Sequence, residues 1–122
     1  MGVDPRDTAE RRRARQRGLS AEDRVADLLT DDGWQVRARN WIGGGGELDL
    51  VVSRDGVWRI VEVKARAPGD PEGLDAIDPA KQRKLRQAAE AWLQEQEDLL
   101  LEVAFLVVLV EGERITLLDD AF

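Results

Sequence analysis

Apolar residues at helical spacing predict two helices. The first begins after Ser20, whose side chain suits a helix N-cap with Asp23 three positions on, and it ends at Gly33. The second begins at Asp78 and continues with Pro79, a residue favoured in the first helical position. The apolar stripes are Ala21, Val25, Leu28 and Leu29 in the first helix and Leu85, Ala88, Ala89, Trp92 and Leu93 in the second.

Five stretches have the alternation or composition of β-strands: 34–41, 48–53, 57–64, 101–110 and 114–118. The second and third are joined by Asp55-Gly56, which favours a two-residue hairpin turn of type I′. The fourth is apolar on both faces, which indicates a central strand. Residues 43–46 predict a glycine loop, and residues 65–78 predict a long loop rich in Gly, Pro and Asp. The resulting order, α-β-β-β-α-β-β, predicts an α/β fold.

The length predicts a single domain over residues 18–122, preceded by a charged arm, flexible or helical, at 1–17. The 122 residues are enough for one modest core. No apolar run approaches the ~20 residues of a membrane span. The N-terminal Arg residues are not followed by the apolar segment of a signal peptide. We therefore expect a cytoplasmic protein without a membrane partner.

Missing residue types narrow the chemistry. The chain has no Cys and no His, which excludes disulfides, thiolate zinc sites, Ser-His-Asp catalysis and histidine general bases. Carboxylates remain, and their oxygens favour hard cations such as Mg²⁺ or Mn²⁺. The net charge of −7 counts against a general nucleic-acid binder. Residues 81–86 nevertheless carry four cations and no acid, and such a strip can hold a phosphate backbone.

The predicted hairpin brings acidic residues together. With Asp55 and Gly56 at the turn centres, Asp49 faces Glu62, while Glu47 faces Lys64, and all four share one face of the strands. Directly opposed like charges destabilise a sheet, so something must offset them. A divalent cation or a shared proton would do so, and Lys64 offsets part of the repulsion. A register slip of one residue would send the set to alternate faces.

Each helix also carries a charge on or beside its apolar stripe: Glu22 in the first and Lys81 in the second. If both helices pack on the functional face of the hairpin, these two side chains converge on the acidic pair. Simpler interpretations stay open. Glu47 and Lys64 could form an ordinary ion pair, Glu22 and Lys81 could reach water from the stripe edges, and Asp49 could cap the glycine loop.

An Asp followed by Glu-x-Lys on the next strand, after a helix bearing Glu, resembles the PD-(D/E)xK nuclease superfamily with its restriction-endonuclease-like fold. More closely, the chain is similar to the YraN-like family of bacterial proteins related to Holliday junction resolvases. The resemblance implies an αβββαβ core, a mixed central sheet flanked by helices and, here, one added C-terminal strand. The matching stretches are Gly18 with Ala21-Glu22, 38–41, 46–51, 61–66, Lys81 and Ala121-Phe122.

The resemblance implies hydrolysis of DNA phosphodiesters, with branched or damaged DNA as candidate substrates, and it raises a homodimer as an option because two cuts need two sites. Asp49 and Glu62 would bind Mg²⁺ or Mn²⁺ with the backbone carbonyl of Val63, and Glu22 would contact the metal directly or through water. Lys64 would position or activate the attacking water. The residues expected to line the nucleic-acid surface are Lys81, which would hold a phosphate, and Lys84, Arg66 and Glu47.

The chain departs from the family pattern at three points. Leu48-Asp49 replaces the superfamily's Pro-Asp, Ile42 replaces a basic residue, and the late strand lacks an early Asp. Two alternatives follow. One is a catalytically inactive nuclease-fold module that binds nucleic acid or a partner protein. The other is an assembly protein that uses an exposed tail at Ala121-Phe122 and its Trp residues, although Trp34 and Trp92 are more simply core residues.

Overall fold

In a computed structural model, which describes residues 20–67 and 77–122, two helices flank one five-stranded sheet. The predicted order of elements is confirmed. The elements are α1 (Ala21–Asp31), β1 (Gln35–Gly43), β2 (Gly46–Arg54), β3 (Val57–Arg66), α2 (Pro79–Gln94), β4 (Glu102–Glu111) and β5 (Arg114–Asp119). The predicted arm at 1–17 lies outside the described residues. The predicted loop at 65–78 begins later than expected, because β3 continues to Arg66, and residues 68–76 are likewise outside.

Side-chain caps start both helices where the sequence predicts. The Asp23 N–H donates to the Ser20 hydroxyl at 3.1 Å, and the Lys81 N–H donates to Asp78 Oδ1 at 2.8 Å. Each bond satisfies a donor that the first turn of a helix leaves without an intrahelical partner. Gly33, with φ of 93°, follows the end of α1 in the left-handed conformation that glycine adopts at low cost.

The sheet is mixed, with its strands in the order β1-β2-β3-β4-β5. β3 and β4 are parallel and are connected through α2, while the other neighbours are antiparallel. In the β2–β3 hairpin, Asp55 and Gly56 have φ of 52° and 81°, as a type I′ turn requires. The pairing Ser53↔Trp58 and its neighbours confirm the predicted register at this end of the hairpin.

The glycine loop is a tight turn packed against α2. Gly43 and Gly46 pair as the last rung of the β1–β2 ladder, so only Gly44 and Gly45 form the turn. A Cβ on Gly44 would lie 2.6 Å from the carbonyl oxygen of Gln87, which excludes any side chain there without movement of the helix backbone. The absence of side chains in this turn thus fixes α2 against the β1–β2 hairpin.

Two apolar clusters lie on opposite faces of the sheet, and each is covered by one helix. The cluster under α1 contains Val25, Ala26, Leu29, Leu50, Val52, Val61, Leu106, Val108 and Val110. The cluster under α2 contains Leu48, Val51, Trp58, Ile60, Ile77, Leu85, Ala88, Ala89 and Val107. Trp34 packs against the first cluster and Trp92 against the second, each as a partly buried residue at its edge.

The C-terminal dipeptide is not an exposed tail, which corrects the expectation for Ala121-Phe122. The Ala121 N–H donates to the Phe105 carbonyl at 3.0 Å, and the Phe122 ring stacks on Phe105 with centroids 4.6 Å apart. Both terminal residues pack against the cluster under α2. The end of the chain therefore closes the core beside β5 rather than offering a free contact surface.

Candidate active site

β2 and β3 separate at the end opposite their turn. Their ladder ends at Leu50↔Val61, after which β2 pairs with β1 alone and β3 with β4 alone. The predicted facing of Asp49 with Glu62 and of Glu47 with Lys64 is therefore not realised as paired rungs. Instead the Asp49 side chain fills the split, where its Oδ2 accepts the Val63 N–H at 2.9 Å. A carboxylate thus replaces the carbonyl that a continuous ladder would supply.

Glu62 is the buried acid of the site, with 5% of the residue exposed. Its Oε1 lies 2.8 Å from Lys81 Nζ and 3.8 Å from Lys64 Nζ. Burial raises the pKa of Glu62 most, the charge and hydrogen bond of nearby Asp49 raise it further, and Lys81 opposes the rise. The surroundings of Glu62 therefore disfavour its charged form, and Lys81 offsets this only in part.

The two lysines differ in their environment. Burial lowers the pKa of Lys64, and the neighbouring Lys81 ammonium lowers it further. Burial also disfavours charge on Lys81, but its contacts with Glu62 outweigh burial, so the pKa of Lys81 is raised. Lys81 is thus a fixed cation bound to the acid, while Lys64 gives up its proton more readily than an ordinary lysine.

Glu22 and Lys81 reach the split from opposite sides. The condition that both helices pack on one face of the hairpin is not met, because α1 and α2 cover different faces. Lys81 contacts Glu62 from the side of α2. On the side of α1, burial raises the pKa of Glu22 most, and the negative charges of Asp49 and Glu47 raise it further.

The residues predicted for the nucleic-acid surface are only partly brought together. Glu47, Lys81 and Lys84 line one open cavity of about 380 Å³. Arg66 lies at the far end of β3, two residues beyond Lys64, and does not line that cavity. The predicted cations that line this cavity therefore both lie in the first two turns of α2.

Two of the simpler interpretations of these charges are not found among the described residues: the Glu47–Lys64 ion pair and the Asp49 cap. Glu47 and Lys64 form no ion pair with each other within the described ranges. Lys81 is directed to Glu62 although 40% of its side chain is exposed. Asp49 accepts a hydrogen bond from β3 rather than capping the glycine loop.

Asn40 is a site residue to which the sequence alone assigned no role. Oriented by its hydrogen-bond partners, its amide nitrogen donates to Glu22 Oε1 at 2.9 Å and Oε2 at 3.3 Å. The neighbouring Arg39 forms an ion pair with Asp23 on the same helix. The signal in the sequence is weak: an Asn inside a strand is disfavoured, but it tolerates the left-handed conformation found here.

The donor set suits a hydrated hard cation rather than a closed metal cage. Asp49 and Glu62 offer carboxylate oxygens, the ligands that Mg²⁺ and Mn²⁺ prefer. Across residues 20–67 and 77–122, no group of three acidic side chains converges as a complete metal site. Mg²⁺ commonly uses one or two carboxylates and keeps several waters, so two carboxylates are enough to hold such an ion.

No helix in the described part of the chain is long and apolar enough to cross a membrane.

Comparison with known proteins identifies the family. A model of the Uncharacterised protein family UPF0102 matches residues 21–110. A UPF0102 protein of Parasynechococcus marenigrum is 44% identical over 94 residues, which cover 75% of this chain and 69% of the relative. A UPF0102 protein of Halorhodospira halophila is 37% identical over 109 residues, covering 88% of each chain. The matched region includes every element that forms the split between β2 and β3, and the chain belongs to the UPF0102 family, the YraN-like group of bacterial proteins.

Proposed function

We propose that this chain is a metal-dependent nuclease that hydrolyses DNA phosphodiesters, with branched or damaged DNA as its expected substrate. The observation that carries the proposal is buried Glu62, whose pKa Asp49 raises and whose carboxylate lies beside two lysines, where β2 and β3 separate. A purely structural cluster would gain stability by replacing such an acid pair with apolar residues. Buried acids in a cleft whose charged form is disfavoured by their surroundings are typical of functional sites.

Asp49, Glu62 and Val63 would hold the cation. The N–H and C=O of one strand residue point to the same edge, and the Val63 N–H points to Asp49, so the Val63 carbonyl also faces the split. This carbonyl adds a third oxygen donor beside the two carboxylates. When bound, Mg²⁺ or Mn²⁺ would polarise the phosphoryl group and lower the pKa of a bound water.

Lys64 would act on the attacking water. Its ammonium lies 3.8 Å from Glu62, on the α2 side of the split, where it can hold a water against the pair. Its lowered pKa leaves more of Lys64 as the neutral amine than in an ordinary lysine, and only the neutral amine can accept a proton from that water. In the protonated form, Lys64 adds positive charge where negative charge develops on the phosphoryl oxygens.

Lys81 and Lys84 would hold the phosphate backbone. Both lie on the first two turns of α2 and line the cavity of about 380 Å³ next to the acidic pair. A phosphate in that cavity would pair with cations within reach of the reacting centre. This local surface reconciles nucleic-acid binding with the overall charge of −7.

The test is a cleavage assay on end-labelled four-way junctions, flaps and plain duplexes with Mg²⁺ or Mn²⁺. Wild type is compared with Glu62→Gln and with Glu90→Gln, a matched change at an exposed position of α2. We expect Glu62→Gln to lose about a thousandfold in rate and Glu90→Gln to retain full activity. Equal cleavage by wild type and Glu62→Gln would show that the activity does not arise at this site.

Binding without cleavage is the alternative that two observations favour. The described acids do not complete a three-carboxylate site, and Lys81 is paired with Glu62. On this alternative, wild type binds branched DNA but does not cut it with either cation. Loss of that binding in Lys84→Met, measured by fluorescence anisotropy, would support a binding module that uses the same cationic surface.

A further inference from the structure

Two consecutive residues of β1 join that strand to the first turn of α1. Arg39 pairs with Asp23, and the Asn40 amide, assigned the orientation that its acceptor neighbours require, donates to both oxygens of Glu22, at 2.9 and 3.3 Å. Consecutive residues of a regular strand point to opposite faces of a sheet. Two consecutive side chains of a strand therefore do not normally contact the same helix.

The backbone of Asn40 explains this double contact. Its φ is 49°, in the left-handed region, although it lies inside β1. The ladder to β2 continues on both sides through Arg39↔Leu50 and Trp41↔Leu48, so Asn40 lies opposite Asp49 at an interrupted rung. The interruption turns the Asn40 amide toward α1 without shifting the register of the strand.

We propose that Asn40 is a positioning residue that holds the Glu22 carboxylate beside Asp49; this inference rests on the proposed function and deepens it. The amide is a neutral donor, so it orients Glu22 without neutralising it. A Lys or Arg in its place would cancel the charge that draws a cation. Asn also adopts the left-handed backbone more readily than other non-glycine residues, which matches this position.

The first experiment is a double-mutant cycle on stability, measured by urea unfolding without added metal. Asn40→Gly removes the whole Asn40 side chain and tolerates the positive φ, so the variant is expected to fold. The cycle combines it with Glu22→Ala. We expect the effects on the unfolding equilibrium constant to be non-additive by about fivefold, as for a half-exposed hydrogen bond to a charged group. Asn40→Gly with Thr116→Ala, on β5, is the additive control.

The second experiment measures Mn²⁺ affinity, from the electron paramagnetic resonance signal of free Mn²⁺, for the same variants. We expect Asn40→Gly to weaken Mn²⁺ binding about tenfold, as outer residues that orient metal ligands commonly do. The double variant should bind no more weakly than Glu22→Ala alone. A purely structural Asn40 would lower stability and leave the Mn²⁺ affinity unchanged.

The outcomes separate this inference from the proposed function. Additive effects on stability would overturn the link between Asn40 and Glu22. Non-additive stability with unchanged Mn²⁺ affinity in Asn40→Gly would overturn the positioning role while the metal site stands. If wild type itself binds no Mn²⁺, with or without DNA, the metal-dependent function fails and the positioning role fails with it. The stability cycle then still decides whether the two residues are joined.

Discussion

β3 carries two buried charged residues three positions apart, Arg59 and Glu62, which are 9% and 5% exposed. Arg59 donates to both oxygens of Asp119, at 2.7 and 3.1 Å, and to Glu102 at 3.2 Å. Its hydrogen bond to Asp119 leads the causes that raise the pKa of Arg59, and the same bond lowers the pKa of Asp119. Arg59 and Asp119 therefore stabilise each other's charged form.

The surroundings of Glu62 have the opposite effect, because they disfavour its charged form. Its pKa is raised by burial and by Asp49, and its two lysine neighbours compete with each other. The comparison shows that a buried charge alone says little about function. What distinguishes the two clusters is whether the fold favours the charged form, as around Arg59, or disfavours it, as around Glu62.

The largest expected effect is at Arg59, whose charge is paired with Asp119 and Glu102. Arg59→Met would leave Asp119 and Glu102 without their shared partner. Because both acids are more than half exposed and can be solvated, we expect a loss of about 2 kcal/mol rather than the larger cost of an isolated buried charge. Urea unfolding measures it. Unchanged stability would mean that the ion pairs of Arg59 do not stabilise the fold, contrary to the contrast drawn with Glu62.

The opposite sign is expected at Glu62. Glu62→Gln keeps the shape and removes a disfavoured charge, so the metal-free protein should gain about 1.5 kcal/mol at pH 7. A folded pKa above the unfolded one costs stability once the pH exceeds both values. The gain should therefore shrink as the pH falls toward the ordinary value of 4.5 and vanish below it. If Glu62→Gln were less stable than wild type at pH 7, the charge of Glu62 would be stabilising, as that of Arg59 is.

Lys81 should matter only while Glu62 is charged. Lys81→Met removes the closest counter-charge of Glu62, and since its side chain is 40% exposed, we expect a loss of about 1 kcal/mol at pH 7. The same substitution in the Glu62→Gln background should be neutral. Lys84→Met, one turn on and exposed, is the control. Equal losses in both backgrounds would show that Lys81 stabilises the helix rather than the acid.

The smallest effect concerns Asp119 and has the reverse pH dependence. Its lowered pKa means that its contribution is present above the ordinary value of 3.8 and is lost as the pH falls through the folded value. After screening of this half-exposed side chain, Asp119→Asn should cost about 0.5 kcal/mol between pH 5 and 8. Chemical unfolding at several pH values measures it. A difference that grew on acidification would contradict the assigned ion pair.

The elements could be predicted from sequence because their signals are local. Ser20 and Asp78 cap helices through their own side chains, and Asp55-Gly56 sets both the turn and the register beside it. The members of the site could be proposed from acids that break an apolar pattern. Their arrangement could not be predicted, because it depends on the residue at which β2 stops pairing with β3 and pairs with β1 alone. The sequence pattern wrongly extends the β2–β3 register beyond that residue.

Two features lay beyond any pattern. The positions of the helices on opposite faces follow from the crossover between β3 and β4, which the spacing of Glu22 and Lys81 does not encode. The role of Asn40 depends on one left-handed residue inside a strand. Both are tertiary consequences that override local preference.

The most direct test of the central claim, that the Asp49–Glu62 pair binds a divalent cation, is thermal unfolding with and without Mn²⁺. Wild type, Glu62→Gln and Glu90→Gln are compared. A cation that binds only the folded state raises stability by RT ln(1 + [L]/Kd), so a ligand at about ten times its Kd gives about 1.4 kcal/mol, or a shift of several degrees. We predict that shift in wild type and Glu90→Gln and its loss in Glu62→Gln. The same shift in all three proteins, or none in wild type even with DNA present, would contradict the claim.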